Sequence, residues 1–207
     1  SGVQNSRLNT GDVVSITITL SEATTVATSS GTPQLALNIG GTIVQANYAS
    51  GSGSNALVFS YTVLAGQTDA NGISLAANSL SLNGATLKDA AGNNATLTHA
   101  GVADNAAYLV DTLAPSAPTF AVVAGDNIIN ASEVSSSITG SNEAGASVAL
   151  SLGGNTRTAT VSGTSWSYAL VAADIAAMSQ GAQTLSATQT DAAGNTSSAV
   201  THDISID

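Results

Sequence analysis

The chain has 207 residues with 13 acidic and 3 basic side chains, a net charge of −10, and no cysteine. So few cations cannot neutralise phosphates or grip an anionic membrane, which excludes nucleic acid and lipid headgroups as partners. The absence of thiols excludes a disulfide framework, cysteine catalysis and thiolate-bound metal. Hydrophobic residues reach 43% while charged ones stop at 8%, so the chain buries a core, and at roughly 150 residues per domain it holds one domain or two. The surface is left to Ser, Thr, Asn, Gly and Ala, a mixture of strand and turn formers that reads as all-β. No apolar run approaches the roughly 18 residues of a spanning helix. Ser1-Gly2-Val3-Gln4-Asn5 has neither the basic end nor the apolar core of a signal peptide, so a piece of a longer protein, without membrane insertion, is expected.

In chain order, Val14, Ile16, Ile18 and Leu20 alternate with Ser15, Thr17 and Thr19, the period of a strand with one face to a core. Leu35, Leu37 and Ile39 alternate with Gln34, Ala36 and Asn38 up to the Gly40-Gly41 turn, and after the turn residues 50–54 a third strand carries Leu57, Phe59, Tyr61 and Val63 on one face. Asp111 opens the run Asp-Thr-Leu-Ala-Pro-Ser-Ala-Pro, which holds two of the three prolines and favours a stiff, extended connection. Beyond it Val148, Leu150 and Leu152 alternate again, as do Trp166, Tyr168 and Leu170, while residues 172–178 read as a short helix. The turns fall at the intervals of a sandwich. Two tandem Greek-key β-sandwiches are expected, residues 1–112 and 113–207, joined by a short Pro-containing linker.

The chain also repeats itself. Asp89-Ala90-Ala91-Gly92-Asn93 recurs about 100 residues later as Asp191-Ala192-Ala193-Gly194-Asn195, and each copy is followed by a Thr-His pair, Thr98-His99 and Thr201-His202. A weaker match sets Leu20-Ser21-Glu22-Ala23 against Ser141-Asn142-Glu143-Ala144.

These residues, together with Gly11-Asp12-Val13-Val14, Gly31-Thr32-Pro33-Gln34-Leu35, Tyr48-Ala49-Ser50-Gly51-Ser52-Gly53 and Asp69-Ala70-Asn71-Gly72-Ile73, resemble the bacterial immunoglobulin-like repeats of giant secreted adhesins. The second half, with Gly125-Asp126-Asn127-Ile128-Ile129-Asn130-Ala131-Ser132-Glu133, Glu143-Ala144-Gly145 and Trp166-Ser167-Tyr168, is similar to the other Ig-like module of such arrays. The resemblance implies tandem Ig-like extender repeats of a repeats-in-toxin adhesin, exported by a type I system to the surface of a Gram-negative bacterium. In such arrays calcium-stiffened domains project a separate ligand-binding domain for adhesion and biofilm formation. The implied partners are neighbouring repeats of the same chain, in a monomer without catalysis.

Calcium also follows from the carboxylates themselves. In a seven-strand sandwich, loops B–C, D–E and F–G share one pole and loops A–B, C–D and E–F the other. With residues 135–141 as strand B and 185–190 as strand F, Glu143 and Asp191 lie at the N-terminal pole of the second domain, where the linker bearing Asp111 passes and the Asp69 loop of the first domain faces. Glu22 and Asp89 form the matching pair at the N-terminal pole of the first domain, and Asp126, Glu133 and Asp207 are candidates at the far end of the second. Two like charges about 4 Å apart cost roughly 4 kcal/mol at a protein surface, and 3 basic residues cannot offset them. A hard cation with 6–8 oxygen ligands does, and Ca²⁺ tolerates irregular loop geometry better than Mg²⁺.

Other readings of the same residues are blander. Asp12 starts a strand, Asp174 caps the short helix, and Asp104 serves solubility. His99 and His202 are structural equivalents near the last strand of each repeat. No Gly-x-Ser-x-Gly elbow or phosphate loop is present, so no enzyme is expected. A calcium-dependent carbohydrate-binding, lectin-like module is the alternative; it wants exposed aromatics, which make up 3% of the chain, and Trp166 reads as core. Ice binding would need a short-period array of Thr, whereas Thr17 and Thr19 form a brief row.

Overall fold

The computed structural model describes residues 6–207. It divides into an N-terminal unit ending at Leu113 and a C-terminal unit beginning at Ala114. Each is built of two sheets, the arrangement that buries the apolar faces written into the alternating strands.

In the first unit the strands are β1 (Arg7–Leu8), β2 (Val13–Ala27), β3 (Gln34–Ile39), β4 (Thr42–Ser50), β5 (Ser54–Thr62), β6 (Thr68–Asp69), β7 (Leu80–Ser81), β8 (Thr86–Lys88) and β9 (Leu109–Asp111). They form a six-stranded sheet of order β7-β3-β4-β5-β2-β8 and a three-stranded sheet of order β1-β9-β6. The period-2 expectation holds: Leu35, Leu37, Ile39, Leu57, Phe59 and Val63 are all buried. The Ser21-Glu22-Ala23 segment differs from expectation. It is not a loop but part of the long strand β2, which pairs with β5 as far as Thr19, loses register before Thr24, and then pairs with β8 over Thr25–Ala27. The β-branched residues Thr24, Thr25 and Val26 favour continued extension.

The second unit contains β10 (Ile128–Ile129), β11 (Ser137–Ser141), β12 (Ser147–Leu152), β13 (Asn155–Thr158), β14 (Thr160–Ser162), β15 (Ser165–Ala169), α1 (Ala172–Met178), β16 (Gly181–Thr190) and β17 (Val200–Ile206). A five-stranded sheet of order β10-β17-β16-β12-β13 faces a three-stranded sheet of order β11-β15-β14. Helix α1 occupies the expected span. Trp166 is 2% exposed at the centre of this core. Its indole N–H donates to the carbonyls of Thr119 and Ser141 at 3.1 and 3.2 Å, and Phe120 packs edge-on with ring centroids 5.4 Å apart. The tryptophan is therefore a core residue, with its polar atom paired as burial demands.

Asp174 is more deeply placed than a surface cap. Its side chain is fully buried, accepting from Arg157 Nε at 2.7 Å, from the Tyr168 hydroxyl at 2.8 Å and from the Val171 N–H at 3.2 Å. The last of these is the return bond from the third helical residue to the N-cap. Burial pushes this carboxyl up, but the bonds from Tyr168, Arg157 and Val171 outweigh it and hold Asp174 below the usual carboxylate range. A group with a depressed folded-state value stabilises fully above its unfolded value, and that contribution disappears as pH falls through the folded one. Asp174→Ala, which strands the Tyr168 hydroxyl, is expected to destabilise the second unit by about 2 kcal/mol. It should also flatten the loss of stability below about pH 4 in acid-unfolding curves, the range in which a salt-bridged Asp is protonated.

Candidate functional site

The repeated Asp-Ala-Ala-Gly-Asn sequence folds the same way twice. In the first copy Asp89 N donates to Asn93 O at 3.0 Å, while the Asp89 carboxylate accepts from Asn93 N and from Asn93 Nδ2, both at 2.8 Å. In the second, Asp191 N donates to Asn195 O at 3.0 Å, and the carboxylate accepts from Ala193 N at 2.8 Å and from Asn195 N and Nδ2 at 2.9 Å. Short polar side chains at the start of a turn commonly bond their own backbone in this way. The Asn93 side chain, followed by its backbone N–H, draws the Asp89 carboxyl below its ordinary value. The repeat is thus first a self-clasped loop, a role the sequence reading did not give it.

The ends of the second unit sort the remaining acids. Ser147, at the start of β12, pairs with Thr190, at the end of β16, so the turn before one strand and the loop after the other lie side by side. Glu143 and Asp191 occupy that end. Gln189, 1% exposed, ties it together: its Oε1 accepts from Glu143 N at 2.9 Å and its Nε2 donates to Ser116 O. Gln189 shares its parity in β16 with the buried Leu185 and Ala187, and a polar residue at an inward position was the signal that could have flagged it. At the opposite end Glu133 Oε2 accepts from Asn130 N at 3.2 Å, and Asp207 N donates to Ile129 O at 3.0 Å. Asp126 does not join them. Parallel pairing of Ile128 with Ser205 sets it back along β17, where its Oδ1 accepts from Ile128 N at 2.9 Å.

In the first unit Glu22 and Asp89 line one cleft of about 160 Å³ with Asn93, Asn94 and Thr96, so the pair comes together although Glu22 stands on a strand. Asp69 is different. It is 3% exposed, and its oxygens accept from Gly40 N at 2.8 Å, Gly72 N at 2.8 Å and Asn71 N at 3.2 Å. A Cβ at Gly40 would lie 2.0 Å from Thr68 O, so glycine is what lets the β3–β4 turn close on this carboxylate. Asp69 staples its own loop to the β3–β4 turn. Asp111 closes β9 and accepts from Leu113 N at 3.2 Å. Asp12 accepts from Asn9 N at 2.9 Å just before β2, the expected strand-starting role, and Asp104 receives the Asn71 amide. The two histidines are not equivalent. His99 lies in a loop, where Nε2 accepts from Ser79 N at 2.9 Å, while His202 is on β17, stacked on Phe120 and bonded to Asn127 Oδ1 at 2.9 Å.

Among the described residues, the carboxylates of Glu22, Glu143 and Asp207 are the ones without a hydrogen bond. Glu22 lines the same cleft as Asp89, while Glu143 and Asp207 lie at the two ends of the second unit that also hold Asp191 and Glu133. The buried Oδ1 of Asn142, next to Glu143 in the chain, also has no donor, since its Nδ2 is turned to the carbonyls of Glu143 and Gly163. This donor set is all oxygen, which fits a hard cation such as Ca²⁺. Within neither unit, however, do three acidic or histidine side chains of the described residues gather tightly enough to hold an ion by themselves.

Residues 113–207 match the bacterial Ig-like domain family. No curated protein matches the chain. Among solved structures, the chain is similar to a 1.5-MDa bacterial ice-binding adhesin at 18% identity, covering 98% of this chain and 61% of that one with a TM-score of 0.41. It is also similar to a Ca²⁺-stabilised adhesin with which an Antarctic bacterium reaches out and binds ice, at 24% identity and a TM-score of 0.50, covering 100% of this chain and 48% of that one. A bacterial immunoglobulin-like domain of the M. primoryensis ice-binding adhesin aligns over 46% of this chain and 100% of its own length, at 30% identity and a TM-score of 0.34. The chain thus spans less than two thirds of the first two. Its likeness to the Antarctic adhesin is one of fold.

The clasp geometry carries a direct test. Asn93→Ala is expected to return the Asp89 carboxyl toward its ordinary titration range, read from the carboxyl carbon shift in an NMR pH series.

Proposed function

We propose that the chain is a non-catalytic extender segment of a bacterial surface adhesin, a spacer that holds a separate ligand-binding domain away from the cell. The observation that carries this reading is that acids without a hydrogen bond share a cleft of the first unit and both ends of the second with acids held by their own loops, in a chain with 3 basic residues against 13 acidic ones. The match of residues 113–207 to the bacterial Ig-like domain family and the fold shared with a Ca²⁺-stabilised adhesin support it.

In this reading Ca²⁺ binds at the unit ends and stiffens the array where consecutive domains join. Glu143 and Asp191 would hold it at one end of the second unit, Glu133 and Asp207 at the other, and Glu22 and Asp89 in the first unit, with remaining oxygens from carbonyls and adjoining segments. Asp111 stands at the end of β9 as a further ligand from the linker side; Asp69 and Asp126 serve their own turns. Extracellular modules bind Ca²⁺ with dissociation constants of about 10⁻⁴–10⁻³ M, so export to the surface of a Gram-negative cell would fill sites that stay empty inside it. The protein acts as a monomer whose partners are its own neighbouring repeats. The lectin-like alternative gains nothing from Trp166, which is buried.

Calcium at about 100 times its dissociation constant adds roughly 2.7 kcal/mol per site, enough to raise the melting temperature of a domain this size by roughly 10 °C. Calorimetry with saturating Ca²⁺ and with chelator should show that difference. Glu143→Gln, which disturbs no hydrogen bond of the carboxylate, should shrink it while leaving the chelated melting temperature unchanged. Identical melting curves with and without chelator would remove the calcium reading.

A further inference from the structure

The first unit contains two Asn-Gly dipeptides, Asn71-Gly72 and Asn83-Gly84, and the fold treats them oppositely. In such dipeptides the backbone nitrogen of glycine can attack the asparagine side-chain carbon, because no Cβ obstructs the approach. We propose that Asn83, and not Asn71, is a site of spontaneous deamidation that ages this chain.

The reaction needs no partner except water. A base takes the proton of the Gly84 N–H, the nitrogen bonds to Asn83 Cγ, the Cγ–Nδ2 bond breaks, and ammonia leaves with a returned proton, closing a five-membered succinimide. Water then opens either imide carbonyl, giving aspartate or, through the other bond, isoaspartate with the main chain running through the former side chain. No electrons are transferred to or from the protein. The net change is one amide hydrolysed to one carboxylate.

At Asn71 the nucleophile is locked. Gly72 is buried and its N–H donates to Asp69 Oδ1 at 2.8 Å, while Asn71 N donates to the same oxygen and Asn71 Nδ2 to Asp104. Removing the Gly72 proton would set a second negative charge against a buried carboxylate. At Asn83 no such barrier exists. Asn83 and Gly84 are exposed, and the Gly84 N–H makes no hydrogen bond among the described residues. The turn is a two-residue tip with Asn83 at φ 47° and Gly84 at φ 89°, closed by Ala85 N to Leu82 O at 2.9 Å and tethered by Asn83 Nδ2 to Thr32 O at 3.2 Å. Opening that tip breaks two neutral bonds, whereas freeing Gly72 breaks bonds to a charge, which are about twice as strong.

The consequence falls on a tight crossing. A Cβ at Gly31 would lie 1.7 Å from Asn83 O, and a Cβ at Gly84 would lie 2.4 Å from Ser30 O, so the backbone of the residue 28–32 loop and this turn pack without room for an added atom. Isoaspartate inserts a methylene into the main chain there. Either product also adds a negative charge to a chain already at −10 and removes the bond to Thr32.

The test is to incubate the full chain in mildly alkaline buffer, folded and in urea, and to follow both asparagines by peptide mass mapping. In the folded protein Asn83 should convert while Asn71 is at least roughly tenfold slower, the factor given by a barrier about 1.4 kcal/mol higher. In urea the two rates should converge, and in Asn83→Gln the early acidic species should vanish. Equal rates in the folded chain, a faster Asn71, or the same ratio persisting in urea would overturn the proposal.

Discussion

A chain with 13 carboxylates and 3 basic side chains cannot satisfy its acids by ion pairing, and that shortage shapes both units. Among the described residues one ion pair forms, Arg157 with the buried Asp174. The other acids that are tied down bond to backbone N–H groups or to neutral side chains: Asp12 to Asn9, Asp69 to Gly40 and Gly72, Asp89 to Asn93, Asp126 to Ile128, Asp191 to Asn195 and Asp203 to Thr184. A carboxylate held by main-chain donors keeps its charge and loses its freedom, so it orders a turn without a cation. Most of these bonds close turns, whereas Asp203 reaches Thr184 across the paired strands β16 and β17.

This division of labour gives the unpaired acids their meaning. Glu22, Glu143 and Asp207 each share a cleft or a unit end with an acid already held by its own loop, and a divalent ion collecting ligands there has fewer side chains to order. The fixed acid supplies position and the other supplies reach. It also separates two roles that look alike in composition, since the Asp69 carboxylate is taken up by the N–H groups of its own turns whereas the Glu143 carboxylate accepts no hydrogen bond.

Much of the fold was legible. Alternation placed Leu35, Leu37, Ile39, Leu57 and Phe59 inward, the residue 172–178 helix was readable from its local sequence, and chain order alone assigned Glu143 and Asp191 to one end. What stayed hidden depends on contacts between distant positions or on local self-bonding. Arg157, Tyr168 and Asp174 lie on three different elements, and no periodicity announces that they meet. The Asp-Ala-Ala-Gly-Asn repeat was visible as a repeat, but nothing in the sequence says that its asparagine, four residues after the acid, is the donor that occupies it. That Glu22 stands on a strand was hidden because a register break inside a long strand looks, in sequence, like a turn. The histidines were paired by their positions in the repeat, and position says nothing of neighbours.

The central claim is that carboxylates at the unit ends hold calcium. Anomalous diffraction from crystals grown with Ca²⁺ tests it most directly. The account predicts a strong anomalous peak within bonding distance of the Glu143 and Asp191 oxygens, surrounded by oxygen ligands alone. A well-ordered map with both carboxylates in place and only water between them and their surroundings would contradict it.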